Sequence, residues 1–225
     1  MALVYRYDMY DRGPWLLLAV TGGGGAVGMS LVGALEASAI PLLPSLGGAG
    51  PALVGAVCEE AAKLLVVGAV AVSARRVFND PMDGLIYGSV AGLGMAVEES
   101  VAVLAANPSG SWLPPGELVR LSGHLVMGGI GGFGLGLIPG GRSHWASTLA
   151  CCWSAAVLLH FGWDWISLQP HAEGSVSLES VLAAALMVSG LLLYGALVAA
   201  ASARSRHQFA PSSRASLWGW PFRRP

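Results

Sequence analysis

Long apolar stretches, each interrupted by only a few polar residues, follow one another along nearly the whole chain. A helix needs about 20 apolar residues to cross the hydrocarbon core of a bilayer. Proline, glycine and asparagine separate the stretches, as is typical of connections between helices. The pattern predicts about six membrane-spanning helices, at residues 14–40, 51–73, 82–106, 118–138, 145–168 and 178–203. We expect the first to be kinked or divided at its glycine run, residues 22–25.

The composition agrees with a membrane protein. Of the 225 residues, 54% are hydrophobic and only 11% are charged, whereas soluble domains carry about 25% charged residues. The fold class predicted is therefore all-α, a polytopic transmembrane helix bundle. The net charge of −1 gives no support for nucleic-acid binding. We expect one integral-membrane domain over residues 1–203, with its polar motifs in 51–168, and a tail rich in Arg and Trp at 204–225.

The arginines predict the orientation. With an even number of spans, both termini lie on the same side as the loops after the second and fourth spans. Nearly all the arginines fall on that side, and Arg120 alone falls on the other. Because cytoplasmic loops are enriched in Lys and Arg, we expect both termini to be cytoplasmic. The arginines on the cytoplasmic side are Arg6, Arg12, Arg75, Arg76, Arg142, Arg204, Arg206, Arg214, Arg223 and Arg224.

Ionisable residues interrupt four of the predicted spans. Each costs about 2.5–3.5 kcal/mol at the centre of a membrane helix, so such residues usually face one another or a wet cavity. Counted along their helices, all lie about 9–12 Å below the outer boundary. Four segments that meet at one depth indicate a single site that opens toward the extracytoplasmic half. The residues are Glu59, Glu60 and Lys63, then Glu98 and Glu99, then His124, then His160 and Asp164.

Helical phase selects among these residues. Gly84, Gly88 and Gly92 form a stripe of small residues suited to close helix packing. Glu99 follows Gly92 by seven positions and shares its face, whereas Glu98 is turned away. We therefore expect Glu99 to belong to the site.

The other polar residues also repeat at helical spacing. His124 continues a four-residue repeat of glycines, at 128, 132 and 136, which places its imidazole on a packed interface. His160 and Asp164 are an i, i+4 pair. Lys63 follows Glu59 by four residues and Glu60 by three, so it can neutralise one carboxylate and leave the other free. Glu36, in the first span, has no evident partner.

Taken in order, these segments resemble the PrsW family of intramembrane proteases, within the wider group that includes the CAAX prenyl endopeptidases. The matching segments are EEAAK at 59–63, DGLIYGSVAGLGMAVEE at 83–99, GH at 123–124 and HFGWD at 160–164. The resemblance covers roughly residues 55–166. The family prefers an aromatic residue where Met95 stands, Asn where Ser100 stands, and often Asn at the position of Asp164.

The resemblance implies a multi-pass peptidase of the cell membrane that cuts membrane-associated protein substrates. In PrsW-type proteins this is the first, extracytoplasmic cut in an anti-sigma factor. The expected partners are therefore the lipid bilayer and a membrane-protein substrate, most simply a single-pass one. Residues 1–203 would then be the peptidase domain, with its active site toward the extracytoplasmic half.

Two mechanisms fit the same residues. In a metal-free mechanism, Glu59 or Glu60 activates water, and Lys63 holds the other carboxylate. A carboxylate withdrawn from water is a stronger base than an exposed one, which suits this role. His124 and His160 would position the water or stabilise the tetrahedral oxyanion.

In the metal-free mechanism, Asp164 would also orient the His160 ring.

In the alternative mechanism, Zn²⁺ is held by His124 and His160 together with Glu99 or Asp164, since two imidazoles and a carboxylate form a known catalytic zinc set. The chain contains no His-Glu-x-x-His segment. The sequence therefore leaves both a cofactor-free and a zinc-dependent peptidase open.

Two other classes of protein also bury carboxylates and histidines. A proton- or ion-coupled transporter would spread them along a pathway through the membrane, rather than gather them at one depth. A catalytically inactive scaffold or immunity-type protein could retain the same residues without using them. Activity measurements distinguish these hypotheses.

Overall fold

The computed structural model describes residues 13–42, 48–106, 116–141, 144–167 and 178–209. These ranges contain helices and turns and no strand, which confirms the all-α prediction. A short 3₁₀ helix, Ile40–Leu42, follows the first α-helix. The α-helices are α1 Trp15–Ala39, α2 Ala49–Ser73, α3 Pro81–Ala106, α4 Gly116–Leu135, α5 Trp145–Ser167 and α6 Leu178–Phe209.

Five of these six helices are long and apolar enough to cross a membrane. The remaining one is α2, which has 25 residues but carries Glu59, Glu60 and Lys63 near its middle. The chain is thus a polytopic helical bundle. That α2 also crosses the membrane stays a prediction, supported by its packing against α1, α4 and α5.

Helices α3 and α4 form the centre of the bundle and approach each other most closely through glycine. A Cβ atom added to Gly84 would collide with the carbonyl oxygen of Gly132, and one added to Gly88 with that of Gly128. The two glycine stripes therefore lie against each other, with backbone touching backbone. Further along the same contact, a Cβ atom on Gly92 would collide with the carbonyl oxygen of His124. This contact fixes the position of His124 relative to α3.

Helix α1 is continuous over its 25 residues, so it is not divided at residues 22–25. The glycines serve packing instead. A Cβ atom on Gly25 would collide with the carbonyl oxygen of Ala91, and Gly94 approaches the backbone of Gly22 in the same way. Close contact with α3 offsets the low helix propensity of glycine.

The first turn of α3 is held by two aspartates. The Asp80 carboxylate accepts hydrogen bonds from the amides of Met82 and Asp83, at 2.7 and 3.1 Å. In return, the Asp83 carboxylate accepts from the amides of Asn79 and Asp80, at 2.8 and 3.1 Å. This reciprocal cap, with Pro81 at the first helical position, fixes where the helix begins and hence the phase of its glycine stripe.

Helix α6 ends at Phe209 rather than near residue 203. Its last turns are rich in Ala and Arg, which are good helix formers, and the next proline is at 211. The expected tail therefore begins as helix. Residues 210–225 lie outside the described ranges, as do the loop arginines Arg6, Arg12 and Arg142 that contributed to the predicted orientation.

Candidate active site

The structure brings the ionisable residues of α2, α3, α4 and α5 together, and Glu60 is the most fully bonded of them. Its Oε1 atom accepts hydrogen bonds from Lys63 Nζ at 2.5 Å and from His160 Nδ1 at 2.8 Å. All three side chains are at most 2% exposed. Of the two carboxylates within reach of Lys63, the lysine therefore pairs with Glu60 and leaves Glu59.

Glu59 faces both imidazoles. Its Oε2 atom lies 3.7 Å from His124 Nδ1 and 3.7 Å from His160 Nε2. The two imidazole rings are 5.1 Å apart, at an interplanar angle of 71°. Glu59 Oε2 and His124 Nδ1 are buried and find no hydrogen-bond partner in the described part of the chain. Such orphaned polar atoms are costly in a protein interior, so the arrangement indicates that something binds between them.

Two further carboxylates flank this centre. Asp164 Oδ2 lies 3.4 Å from His160 Nε2, and Glu99 Oε2 lies 3.5 Å from His124 Nε2. Both side chains are about one-third exposed, at 31% and 32%, so they are much more accessible than Glu59 and Glu60. Glu98 lies apart from the cluster and accepts a hydrogen bond from Ser30 at 2.8 Å.

Arg120 is a site residue that the sequence analysis missed. Its guanidinium forms ion pairs with Glu99 and Glu117, and it donates a hydrogen bond to the Ser100 hydroxyl at 2.8 Å. Ser100 in turn donates to Glu117 at 2.7 Å. The signal that could have found it is its position four residues before His124, on the same face of α4.

Glu36 was also left unassigned, and the structure places it beside the site. Its Oε1 atom and Asp164 Oδ2 each lie 3.6 Å from the point where a Cβ atom on Gly55 would stand. Gly55 is one turn before Glu59 on α2. Glu36 Oε1 is buried, and it has no hydrogen-bond partner among the residues described. An acidic residue within the first apolar segment was the sequence signal that could have assigned Glu36 to the site.

The geometry fits a divalent metal ion. One ligand atom from each of Glu59, His124 and His160 lies within 4.8 Å of the others. Because His160 Nδ1 bonds to Glu60, His160 Nε2 is free to face the carboxylates of Glu59 and Asp164. Three electron-rich atoms in close proximity need a cation or a shared proton between them.

The outer nitrogens of the two imidazoles strengthen this fit. Metal-binding histidines usually donate their second ring nitrogen to a carboxylate. Here His160 Nδ1 meets Glu60, and His124 Nε2 faces Glu99. The carboxylate among the candidate ligands is Glu59. Glu99 and Asp164, the carboxylates considered from the sequence, each lie within 3.5 Å of one imidazole nitrogen.

The fold and the site together define a polytopic membrane protein with a buried glutamate–histidine centre, and such centres activate water in hydrolases. The model of the PrsW family intramembrane metalloproteases matches residues 12–194, and this chain belongs to that family. The match confirms the resemblance seen in the motifs, and membership implies an intramembrane protease. No curated protein and no solved structure gives a significant match to the chain.

Proposed function

We propose that this chain is an intramembrane endopeptidase that cleaves membrane-associated protein substrates near the extracytoplasmic face. The observation that carries the proposal is the Glu59 Oε2 atom, which lies buried and without a hydrogen-bond partner among the described residues, 3.7 Å from each of two imidazoles. A reactive group that is buried and unsatisfied suits catalysis better than stability.

The two adjacent glutamates have different roles in this proposal. Glu60 already accepts bonds from Lys63 and His160, so its role is to hold the His160 ring in orientation. Lys63 balances the negative charge of Glu60 in the interior of the bundle. Glu59 is the carboxylate left to face the two imidazoles.

We assign Glu59, His124 and His160 as the residues that would hold a Zn²⁺ ion. A bound zinc ion would supply Lewis acidity, which polarises water and the scissile carbonyl group. Glu60 and Glu99 would keep the two imidazoles in the orientation and tautomer that ligation needs, by accepting bonds from their outer nitrogens.

Asp164 is the residue best placed to move a proton. It is partly exposed, and its Oδ2 atom is 3.4 Å from His160 Nε2. In our proposal it accepts a proton from the attacking water and delivers it to the amine of the leaving peptide. The buried walls of the site exclude other water from the reaction.

The substrate class follows from the family and the depth of the site. A centre within the membrane reaches only proteins that are themselves in the bilayer, and we propose a single-pass protein such as an anti-sigma factor. The distribution of arginines supports cytoplasmic termini and a site toward the extracytoplasmic half, provided that α2 also crosses the membrane. Residues 1–203 form the peptidase domain in this proposal.

The proposal is tested by comparing newly formed protein N-termini in membranes of cells that express the wild type or a variant at equal levels. His124→Ala removes an imidazole of the centre. His144→Ala is the matched control, because that imidazole is exposed and lies outside the site. We expect new termini near the outer ends of single-pass proteins with the wild type and His144→Ala, and none with His124→Ala. Identical profiles for all three, under several stress conditions, would overturn the proposal.

A further inference from the structure

An apolar groove of about 610 Å³ runs along the membrane face between α1 and α2. We call it the α1–α2 groove. Small residues line it from both helices, among them Gly24 and Gly28 of α1 and Cys58, Ala61 and Ala62 of α2. In membranes, stripes of small residues allow the close approach of another helix. The groove is therefore shaped for a helix as well as for lipid.

One end of the groove lies next to the active site. Its lining includes Leu35 and Cys58, and the Cys58 thiol is close enough to the Glu36 and Glu59 carboxylates to interact with them electrostatically. Just beyond this end, Glu36 Oε1 and Asp164 Oδ2 lie over Gly55. A chain that leaves the groove at this end meets these two carboxylates, and Asp164 Oδ2 is 3.4 Å from the His160 imidazole.

We propose that the α1–α2 groove binds the transmembrane helix of the substrate, and that Glu36 and Asp164 favour a basic residue where that helix enters the site. The inference rests on the proposed function, because it names how the substrate of that same site is held. The lined part of α1, from Gly24 to Leu35, is about 17 Å long at 1.5 Å per residue. This is about half the hydrocarbon thickness, enough to hold several turns of a helix.

The two carboxylates distinguish this occupant from a lipid tail. An acyl chain would use only the apolar wall, and nothing in its hydrocarbon would interact with Glu36. A peptide with a basic side chain satisfies both parts of the surface at once. Glu36 Oε1 accepts no hydrogen bond within the ranges described. It is the atom to which such a basic side chain would donate.

Cross-linking to Cys58 tests the inference directly. With Cys151→Ser and Cys152→Ser, Cys58 is the sole thiol of the three cysteines in the chain. The probe is a synthetic peptide of about 20 Leu and Ala residues with one cysteine in its last turn and a short extension that ends in either Lys or Glu. The protein, in lipid nanodiscs, carries Glu59→Gln so that the peptide is not consumed. Disulfide formation is measured after mild oxidation.

We expect a cross-link to the Lys peptide that Gly28→Leu lowers at least about tenfold, because the added side chain occupies the space of a packed helix. A Cβ atom at Gly28 has its nearest neighbours at 3.9 and 4.0 Å, so the variant can fold. Gly23→Leu is the matched control, since Gly23 is exposed and nothing lies within 4 Å of its Cβ position in the described structure. Ala61→Leu fills the same groove from the opposite helix and should act like Gly28→Leu.

Charge selection is the second readout. We expect the Lys peptide to cross-link up to about fivefold better than the Glu peptide, the effect of one partly exposed ion pair. Glu36→Gln should reduce this preference. Equal cross-linking of both peptides, unaffected by Gly28→Leu and Ala61→Leu, would overturn the inference and leave lipid as the occupant.

The two proposals fail separately. Because cross-linking needs no hydrolysis, a selective cross-link from a chain that forms no new N-termini in cells would support the groove and refute the peptidase. New N-termini that form equally well with Gly28→Leu and Gly23→Leu would refute the groove and support the peptidase.

Discussion

Replacing Glu60 and Glu59 by glutamine, one at a time, should have very different effects on the free energy of unfolding. Glu60 accepts bonds from Lys63 at 2.5 Å and His160 at 2.8 Å, and none of these side chains is more than 2% exposed. Glu60→Gln leaves the Lys63 ammonium buried without a counter-charge. Removing one partner of a buried ion pair costs about 3–5 kcal/mol, so we expect the free energy of unfolding to fall by that amount.

Glu59→Gln should behave differently. Its Oε2 atom has no hydrogen-bond partner within the described ranges, so a neutral side chain of the same shape removes no bond. We expect a change within about 1 kcal/mol in the free energy of unfolding and complete loss of peptidase activity. The double variant Glu60→Gln with Lys63→Met removes the unpaired charge and should recover most of the lost stability, though not the activity.

The assay is an unfolding titration of the purified protein with a denaturing detergent. A chelator is present throughout, so that no bound metal contributes to the folded state. Equal destabilisation by Glu59→Gln and Glu60→Gln would refute the division between a structural and a reactive carboxylate. So would a failure of Lys63→Met to recover stability in the Glu60→Gln background.

Three further outcomes follow from the site and the packing. The gently purified chain should hold about one divalent ion by elemental mass spectrometry. His124→Ala should lose this ion and Asp164→Asn should keep it. Loss from both variants would make Asp164 a ligand as well, and retention in His124→Ala would place the ion elsewhere. Gly88→Leu drives a side chain into the backbone of α4 and should lower the free energy of unfolding by more than about 3 kcal/mol. We expect this variant not to accumulate in cells, as measured by immunoblot. The control Gly195→Leu, whose Cβ position has no neighbour within 4 Å in the described structure, should accumulate normally. Arg120→Gln removes the ion-pair partner of Glu99 beside the centre and should lower peptidase activity about 10–100-fold. Arg120→Lys should recover part of this activity. Unchanged cleavage rates would show that Arg120 does not position the site.

The apolar pattern was enough to predict the helices, because the bilayer imposes a minimum length on every span. The glycine repeat of α3 could likewise be assigned to a packed face, since glycine at four-residue spacing has few other uses in a membrane helix. The cost of ionisable groups in the membrane drew attention to most of the ionisable residues that the structure brings together. Each of these three signals can be seen within a single segment of the sequence, without knowing which other segments it contacts.

Contacts between segments decided the rest. Lys63 lies within helical reach of both Glu59 and Glu60, and only the approach of His160 from α5 assigns it to Glu60. The glycine run of α1 could have been a hinge, and the neighbouring α3 backbone makes it a packing surface. Arg120 was counted in the sequence only as the one arginine on the extracytoplasmic side, because its carboxylate partner on α3 is distant in the sequence.

The most direct measurement of the central claim is peptide-bond cleavage by the purified chain in lipid vesicles. The substrate is the single-pass protein identified by its new N-terminus in cells, and the product is measured by mass spectrometry. The account predicts one cut near the outer end of the substrate helix with the wild type, and no cut with Glu59→Gln, although that variant remains folded. No product from folded wild-type protein, or equal product from Glu59→Gln, would contradict it.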